Sequence, residues 1–214
     1  FKLPANRDFT AGAALLMTYA TTIHALVDRG EAKAGERLLV LGASGGIGLS
    51  AIEIGKALGL TVVAAVSSEA KAEAARAAGA DEGLISLAGA FKAAVGPNGF
   101  DLVLDPVGRG YAEPALRSLG WEGRFLVVGF PAGIPAIPLN LTLLKSCDIR
   151  GVFWGAFAMR DPAANAAHVA RLFHWWDEGK IGPTVSATSP LARAGDAIAA
   201  LRDRTAVGKL VVTL

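Results

Sequence analysis

The sequence predicts an α/β fold with a doubly wound parallel sheet of six strands. Short apolar runs that do not alternate, such as TVVAAV at 61–66, are typical of parallel strands buried on both faces. Helical patterns separate these runs and the connections are short, which is the β-α-β order that produces a parallel sheet. A glycine-rich turn also joins the apolar run at 37–41 directly to a helical pattern. Right-handed crossovers would place the carboxyl ends of the strands at one edge, where ligands bind in this fold class.

The first half of the chain has the regular alternation of helices and strands. Apolar residues at spacings of four and three predict a first helix that begins at a cap, Asp8 or Thr10, and ends at Gly30. Its apolar face is predicted to hold Phe9, Ala13, Leu16, Ala20, Ile23 and Val27. Apolar runs and helical patterns bounded by glycines then predict a strand at 37–41, a helix from the glycine-rich turn to about 59, a strand at 61–66, an alanine-rich helix at 69–78, a weak strand at 83–86, a short helix at 91–95, a strand at 101–105, a helix at 110–119 and a strand at 124–128.

The second half is less regular. Three prolines and a glycine indicate a loop at 131–138. Beyond it the patterns predict a short helix at 139–145, a sixth strand at 148–154, a helix at 163–178, a strand at 185–188, a helix at 191–202 and a last strand at 209–214.

Composition narrows the classes of function. The 214 residues are 52% apolar and 19% charged, which is enough to build a large core. A net charge of +2 without long runs of one sign gives no basis for binding nucleic acid or an anionic membrane, and we expect no segment long enough to span a bilayer. The single Cys147 excludes an internal disulfide and fits a reducing compartment, so we expect a cytoplasmic protein. The three histidines and Cys147 lack metal-ligand spacing, so no metal site is expected.

The glycine-rich turn, LLVLGASGGIG at 38–48, has the arrangement of a phosphate cradle. Backbone N–H groups and the positive end of a helix would meet at its four central residues, Ser44, Gly45, Gly46 and Ile47. Gly48 would allow the helix to pack closely on the sheet. Taken by itself, the motif is explained about as well by an ordinary strand-to-helix turn that binds no phosphate. Glycine recurs at three of the four predicted strand exits, however, and this favours a dinucleotide site.

The residues after the second strand bear on which dinucleotide binds. NAD sites usually place an acidic residue about 20 positions beyond the glycines, but Ser67 and Ser68 stand there. Their hydroxyls could bond a 2′-phosphate, and Lys71 could reach the same group, so the sequence predicts NADPH. Arg76 is a less favoured second cation, because it lies further along the helix. Alternatively, Ser68 only caps the next helix and Lys71 is a surface charge. Glu69 could also turn inward and bind the ribose.

Six stretches in order along the chain resemble the zinc-independent NADPH:quinone oxidoreductases, the zeta-crystallin-like members of the medium-chain dehydrogenase/reductase superfamily. They are TYATTIHAL (18–26), VLGASGGIG (40–48), LDPVG (104–108), WEGRFLVVGF (121–130), GVFWG (151–155) and GKLVV (208–212). The resemblance implies a Rossmann fold at 31–183, a helix at 1–30 that bridges from a GroES-like catalytic domain, and a segment at 184–214 that returns to that domain. The chain opens at Phe1 without a methionine, and we expect most of the catalytic domain to be missing.

The resemblance also implies roles for particular residues. Thr18 would approach the nicotinamide end, the glycine loop would hold the pyrophosphate, and Ser67, Ser68 and Lys71 would hold the 2′-phosphate. The nicotinamide pocket would be lined by Val128, Gly129, Phe130, Phe153, Trp154 and Gly155, with Gly208 and Lys209 nearby. Ser86 stands where the family often has a tyrosine near the adenosine, and 13–17 lack the ligand of zinc-dependent relatives, so zinc catalysis is not expected.

The implied reaction is hydride transfer from NADPH to a quinone or a similar conjugated carbonyl. No catalytic residue is identified, and Tyr19, on an apolar helix, is predicted to be a core residue rather than an acid. An NADPH-dependent enoyl or alkenal reductase, or an NADPH-binding module without turnover, would fit the same residues. The apolar edge strand at 148–154 is expected to pair with a second copy in a homodimer, unless the proline-rich loop covers it.

Overall fold

The structure is a computed structural model that describes residues 1–85, 91, 95–203 and 206–214. Its strands are β1 (Arg37–Leu41), β2 (Thr61–Val66), β3 (Glu82–Ile85), β4 (Phe100–Asp105), β5 (Leu119–Val127), β6 (Asp148–Gly151), β7 (Val185–Pro190) and β8 (Lys209–Thr213). Its helices are α1 (Phe9–Ile23), α2 (Gly46–Ala57), α3 (Glu69–Ala77), α4 (Ala112–Arg117), α5 (Asn140–Lys145), α6 (Trp154–Arg160), α7 (Pro162–Asp177) and α8 (Ala194–Arg202). A π-helix (His24–Arg29) continues α1, and short 3₁₀ turns precede α4 and α8.

The six-stranded parallel sheet is confirmed. Its strand order is β3-β2-β1-β4-β5-β6, and all neighbouring strands are parallel. The order reverses beside β1, since the chain runs outward to β3 and then returns to β4 on the other side. A ligand is therefore expected beyond the carboxyl ends of β1 and β4. β7 and β8 form a separate two-stranded parallel sheet.

Both faces of the sheet are buried, which explains why its strands are apolar without alternation. Leu38 and Val40 point to the side that α2 and α7 cover, whereas Leu39 and Leu41 point to the side that α4 covers. All four side chains are at most 2% exposed. Full burial of one such leucine stabilises the fold by about 2 kcal/mol relative to exposure.

The first helix differs from its predicted packing. Of the two predicted caps, Asp8 caps the helix, and its carboxylate accepts a hydrogen bond from Ala11 N at 2.7 Å. Phe9, however, is 88% exposed and Ala13 is also exposed, so the predicted apolar face is wrong at its start. The buried face includes the polar residues Thr18 and Thr22, because α2 packs closely there. Small, hydrogen-bonded side chains therefore occupy part of the buried face of α1, where the periodicity favoured large apolar side chains.

The continuous helix from Phe9 to Arg29 is 21 residues long, and its most apolar 18-residue window has a mean hydropathy of 1.3, so by length and composition alone it could cross a membrane. The expectation that no segment is that long was therefore wrong. More than half of its most apolar window is buried inside the protein. Thr22 Oγ1 also lies 2.7 Å from Ser50 Oγ of α2, a contact of a core helix.

The sixth strand is shorter than predicted. β6 ends at Gly151, and the chain turns at Phe153 into α6, which begins at Trp154. The prediction of a strand over 148–154 failed because an apolar run such as VFW fits a strand and a packed helix start equally well. The predicted helix at 91–95 and Ser86 fall largely outside the described residues. The other boundaries agree to within five residues at each end.

Candidate cofactor-binding site

The glycine-rich turn brings the start of α2 to the carboxyl end of β1. Gly42 has a φ of 58°, a left-handed conformation that favours glycine, and turns the chain out of the strand. Gly45 is the N-cap of α2 and supplies no side chain to occupy the helix end. The first N–H groups of a helix have no partner within the helix and carry its positive end. This end of α2 can therefore bind a phosphate.

Two glycines of the turn make close contacts, one with backbone and one with side chains. A Cβ atom on Gly48 would lie 2.5 Å from the Cα and carbonyl carbon of Ala43, which confirms the predicted close packing. A Cβ atom on Gly46 would lie 2.9 Å from Lys209 Cδ and 3.1 Å from Thr18 Cγ2. The structure thus brings Thr18 and Lys209, which are remote in sequence, against the turn.

The C-terminal segment reaches the turn through its backbone. Gly208 N donates a hydrogen bond to Ser44 O at 2.9 Å, and Gly208 forms an isolated parallel bridge with Gly45. Gly208 has a φ of 69°, and a Cβ atom there would lie 2.8 Å from Thr184 O. Lys209 follows directly, which explains why its side chain lies over Gly46.

A cleft with a volume of about 620 Å³ opens beyond the carboxyl ends of β1, β2 and β4. Six predicted cofactor-binding residues line it: Ser44, Gly45, Gly46, Ile47, Ser67 and Lys71. It is also lined by residues that sequence reasoning did not assign to the site, among them Pro106, Val107, Tyr111, Pro131, Ala132, Leu201, Arg202 and Ala206. Nothing in local sequence pointed to the last three, because only the tertiary fold carries α8 to this edge.

The end of the cleft next to β2 holds two of the three residues predicted for the 2′-phosphate, Ser67 and Lys71, whereas Ser68 does not line the cleft. Lys71 Nζ donates a hydrogen bond to Ser67 Oγ at 3.2 Å. Ser68 is the N-cap of α3, but its side chain makes no capping hydrogen bond. Glu69 accepts a hydrogen bond from Arg76 at 2.8 Å, so its carboxylate is held along α3. This geometry favours neither Ser68 as a side-chain cap nor Glu69 as a ligand of the ribose.

Asp105, at the end of β4, shapes the neighbouring wall of the cleft. The carboxylate is 1% exposed, and Oδ1 accepts hydrogen bonds from the N–H groups of Val107 and Gly108, each at 2.8 Å. Burial raises the pKa of this carboxyl above its ordinary value, and the two hydrogen bonds oppose the rise. Sequence reasoning noted the glycine but missed the role of Asp105. An aspartate whose side chain can bond the backbone two residues later was the available signal.

The residues predicted for the nicotinamide pocket lie further along the same edge, beyond β5 and β6. Val128 and Gly129 are half-buried, and Phe130 is 43% exposed. Phe153 is 75% exposed, and Trp154 donates a hydrogen bond from Nε1 to Asn165 Oδ1 at 2.9 Å. These residues, with Gly155, do not line the cleft, so their role in binding stays a prediction.

Tyr19 is a core residue, as predicted. Its side chain is 2% exposed, and its hydroxyl donates a hydrogen bond to Glu53 Oε2 at 2.6 Å. Burial and the nearby Glu53 carboxylate raise the pKa of Tyr19 far above its ordinary value. Glu53 Oε2 also accepts a hydrogen bond from Gly182 N at 2.9 Å, and burial raises the pKa of the Glu53 carboxyl. In the described part of the chain, no group of three or more His, Cys, Asp or Glu side chains could hold a metal ion.

Residues 46–170, more than half of the chain, match the model of the zinc-binding dehydrogenase family. The chain belongs to this family. It is 33% identical over 220 residues to quinone oxidoreductase-like protein 2 of Rattus norvegicus, a match that covers 100% of the chain and 63% of the relative. The chain therefore spans less than two thirds of that relative's length.

Solved structures of related proteins have the same fold. The quinone oxidoreductase of Thermus thermophilus, solved alone and in complex with NADPH, superposes with a TM-score of 0.89 at 30% identity, over 100% of this chain and 69% of that one. Mycobacterial Rv1454c complexed with NADPH superposes with a TM-score of 0.92 at 28% identity, over 100% of this chain and 67% of that one. The family and the α/β fold agree with the resemblance that the sequence motifs indicated.

Proposed function

We propose that this chain is the cofactor-binding part of an oxidoreductase that transfers a hydride from NADPH to a quinone or a similar conjugated carbonyl. One observation carries the proposal: the open N-terminus of α2 shares a single cleft with Ser67 and Lys71. The first feature suits the pyrophosphate and the second suits a 2′-phosphate. The family and the NADPH complexes of related structures support the same cofactor.

The residues present fit a dinucleotide. A Cβ atom on Gly45 would meet Gly42 O at 3.4 Å and no other described atom within 4 Å outside its chain neighbours, so the turn faces open space. The N–H groups of Gly46 and Ile47 would hold the pyrophosphate from the helix end. Lys209, whose side chain lies over Gly46, would add a positive charge. Asp105 would hold the 106–108 turn in place beside the cofactor.

NADPH, when bound, supplies the hydride, and the protein supplies binding and orientation. A proton is also needed to complete the reduction of a carbonyl. Tyr19 is buried and bound to Glu53, and Asp105 accepts two backbone hydrogen bonds, so neither is available as the donor. We assign the proton to solvent or to protein outside this chain.

We further propose that two copies pair through the outer edge of β6. Among the described strands, β6 is the last of the sheet and pairs only with β5, while Arg29 Nε donates a hydrogen bond to Gly151 O of β6 at 2.9 Å. Ile149 is 38% exposed on this strand, and the preceding α5 exposes Leu143 and Leu144 by 81% and 67%. An edge strand without a partner strand, beside exposed apolar side chains, favours association.

The proposal is tested by assaying the full chain with NADPH and NADH against a panel of quinones and α,β-unsaturated aldehydes. We expect oxidation of NADPH with quinones. Turnover of the aldehydes alone would favour an enoyl or alkenal reductase. Binding of NADPH without any turnover would restrict the function of this chain to cofactor binding, and failure to bind NADPH would contradict the proposal.

A further inference from the structure

The charged residues that line the cleft are opposite in sign to the phosphates of the proposed ligand. Among the described residues that line the cleft, two are charged, Lys71 and Arg202, and both are cations. Lys71 comes from α3, beside the sheet, whereas Arg202 ends α8 in the C-terminal segment. The two cations therefore reach one cavity from different parts of the fold, a distribution that suits an anion with more than one negative charge.

The pyrophosphate and the 2′-phosphate of NADPH differ in the positive groups that the site offers them. The pyrophosphate has the N-terminus of α2 and Lys209. The 2′-phosphate, which carries between one and two negative charges at neutral pH, has Lys71 and the neutral hydroxyl of Ser67. Within the described residues, a second cation is therefore still unassigned at the 2′-phosphate rather than at the pyrophosphate.

The guanidinium of Arg202 can exchange its present partner, the carboxylate of Asp203, for a phosphate. Its Nε and Nη2 donate hydrogen bonds to the two carboxylate oxygens of the adjacent Asp203, at 2.8 and 3.2 Å. The arginine and aspartate side chains are 74% and 53% exposed, and an ion pair as exposed as this one contributes little to stability. A phosphate offers the same bidentate geometry with more charge, so it can displace the aspartate.

We infer that Arg202 is the second cation for the 2′-phosphate and that Asp203 competes with the cofactor for it. This inference rests on the proposed NADPH site. Arg202 would then set the preference for NADPH over NADH, and α8 would be drawn toward α3 when NADPH binds. Asp203 would limit that preference because its carboxylate must release the guanidinium first.

The test is titration of the full chain with NADPH and with NADH, followed by cofactor fluorescence, for the wild type and three variants. We expect Arg202→Gln to weaken NADPH binding roughly fivefold while NADH binding changes by less than about twofold. Asp203→Asn should strengthen NADPH binding. Arg193→Gln is the matched control, because Arg193 lies in the same segment, is 71% exposed and is paired with Asp196 at 2.7 Å. It should change neither affinity.

The outcomes separate this inference from the proposed function. A wild type that prefers NADPH, together with an Arg202→Gln variant of unchanged preference, would overturn the inference and leave the proposed cofactor intact. Equal weakening of NADPH and NADH would overturn it as well, since Arg202 would then act at the pyrophosphate or on the fold. A wild type that binds neither cofactor would overturn both.

Discussion

Substitution of Gly48 by alanine should separate helix α2 from the phosphate-binding turn. The added Cβ atom would lie 2.5 Å from the backbone of Ala43, whereas ordinary contact begins at 3.4 Å, so a shift of about 1 Å is required. Backbone atoms cannot rotate away as a side chain can, and the helix itself must move. Overpacking of this kind costs about 1–3 kcal/mol in the free energy of unfolding.

The same shift should weaken cofactor binding, because the N–H groups that hold the pyrophosphate belong to the displaced turn. We expect NADPH affinity to fall by about tenfold or more, since a misplacement of about 1 Å disrupts aligned hydrogen bonds. Denaturant unfolding and NADPH titration measure the two effects. Gly195→Ala is the control, since its Cβ atom would meet nothing within 4 Å. A Gly48→Ala variant with wild-type stability and affinity would show that the close contact with Ala43 does not position the turn.

Three further substitutions test other parts of the molecule. Lys71→Gln should weaken NADPH roughly tenfold in titration and leave NADH within about twofold; equal losses would contradict a 2′-phosphate contact. Burial raises the pKa of Glu53 above its ordinary 4.5, so the folded chain holds that proton more tightly and wild-type stability falls as pH rises above 4.5. Glu53→Gln should therefore gain stability relative to the wild type as the pH rises above 4.5, whereas a constant difference would contradict this assignment. Ile149→Lys should convert a dimer to a monomer in light scattering, and a monomeric wild type would contradict the proposed edge pairing.

The strands of the sheet could be predicted because burial on both faces leaves a local signature. β1 and β2 appear as uninterrupted apolar runs, and their predicted bounds agree with the structure at both ends. The phosphate-binding turn was equally local, since Gly45 and Gly48 have their roles within one strand-turn-helix unit. Such features depend on neighbours in sequence, so sequence reasoning reaches them.

Features that depend on remote contacts escaped prediction. Phe9 was assigned to the buried face of α1 by periodicity, yet the face is set by the close approach of α2 to Thr18 and Thr22. The boundary between β6 and α6 was missed because the apolar run at 152–154 fits either element. Arg202 escaped notice because only the folded chain brings α8 to the cleft.

The central claim is that the cleft beyond β1 and β2 binds NADPH and discriminates against NADH. Side-by-side titration of the two cofactors on the same protein tests it most directly. We expect a dissociation constant for NADPH at least roughly tenfold lower than that for NADH, about 1.4 kcal/mol of preference. Equal dissociation constants would contradict it.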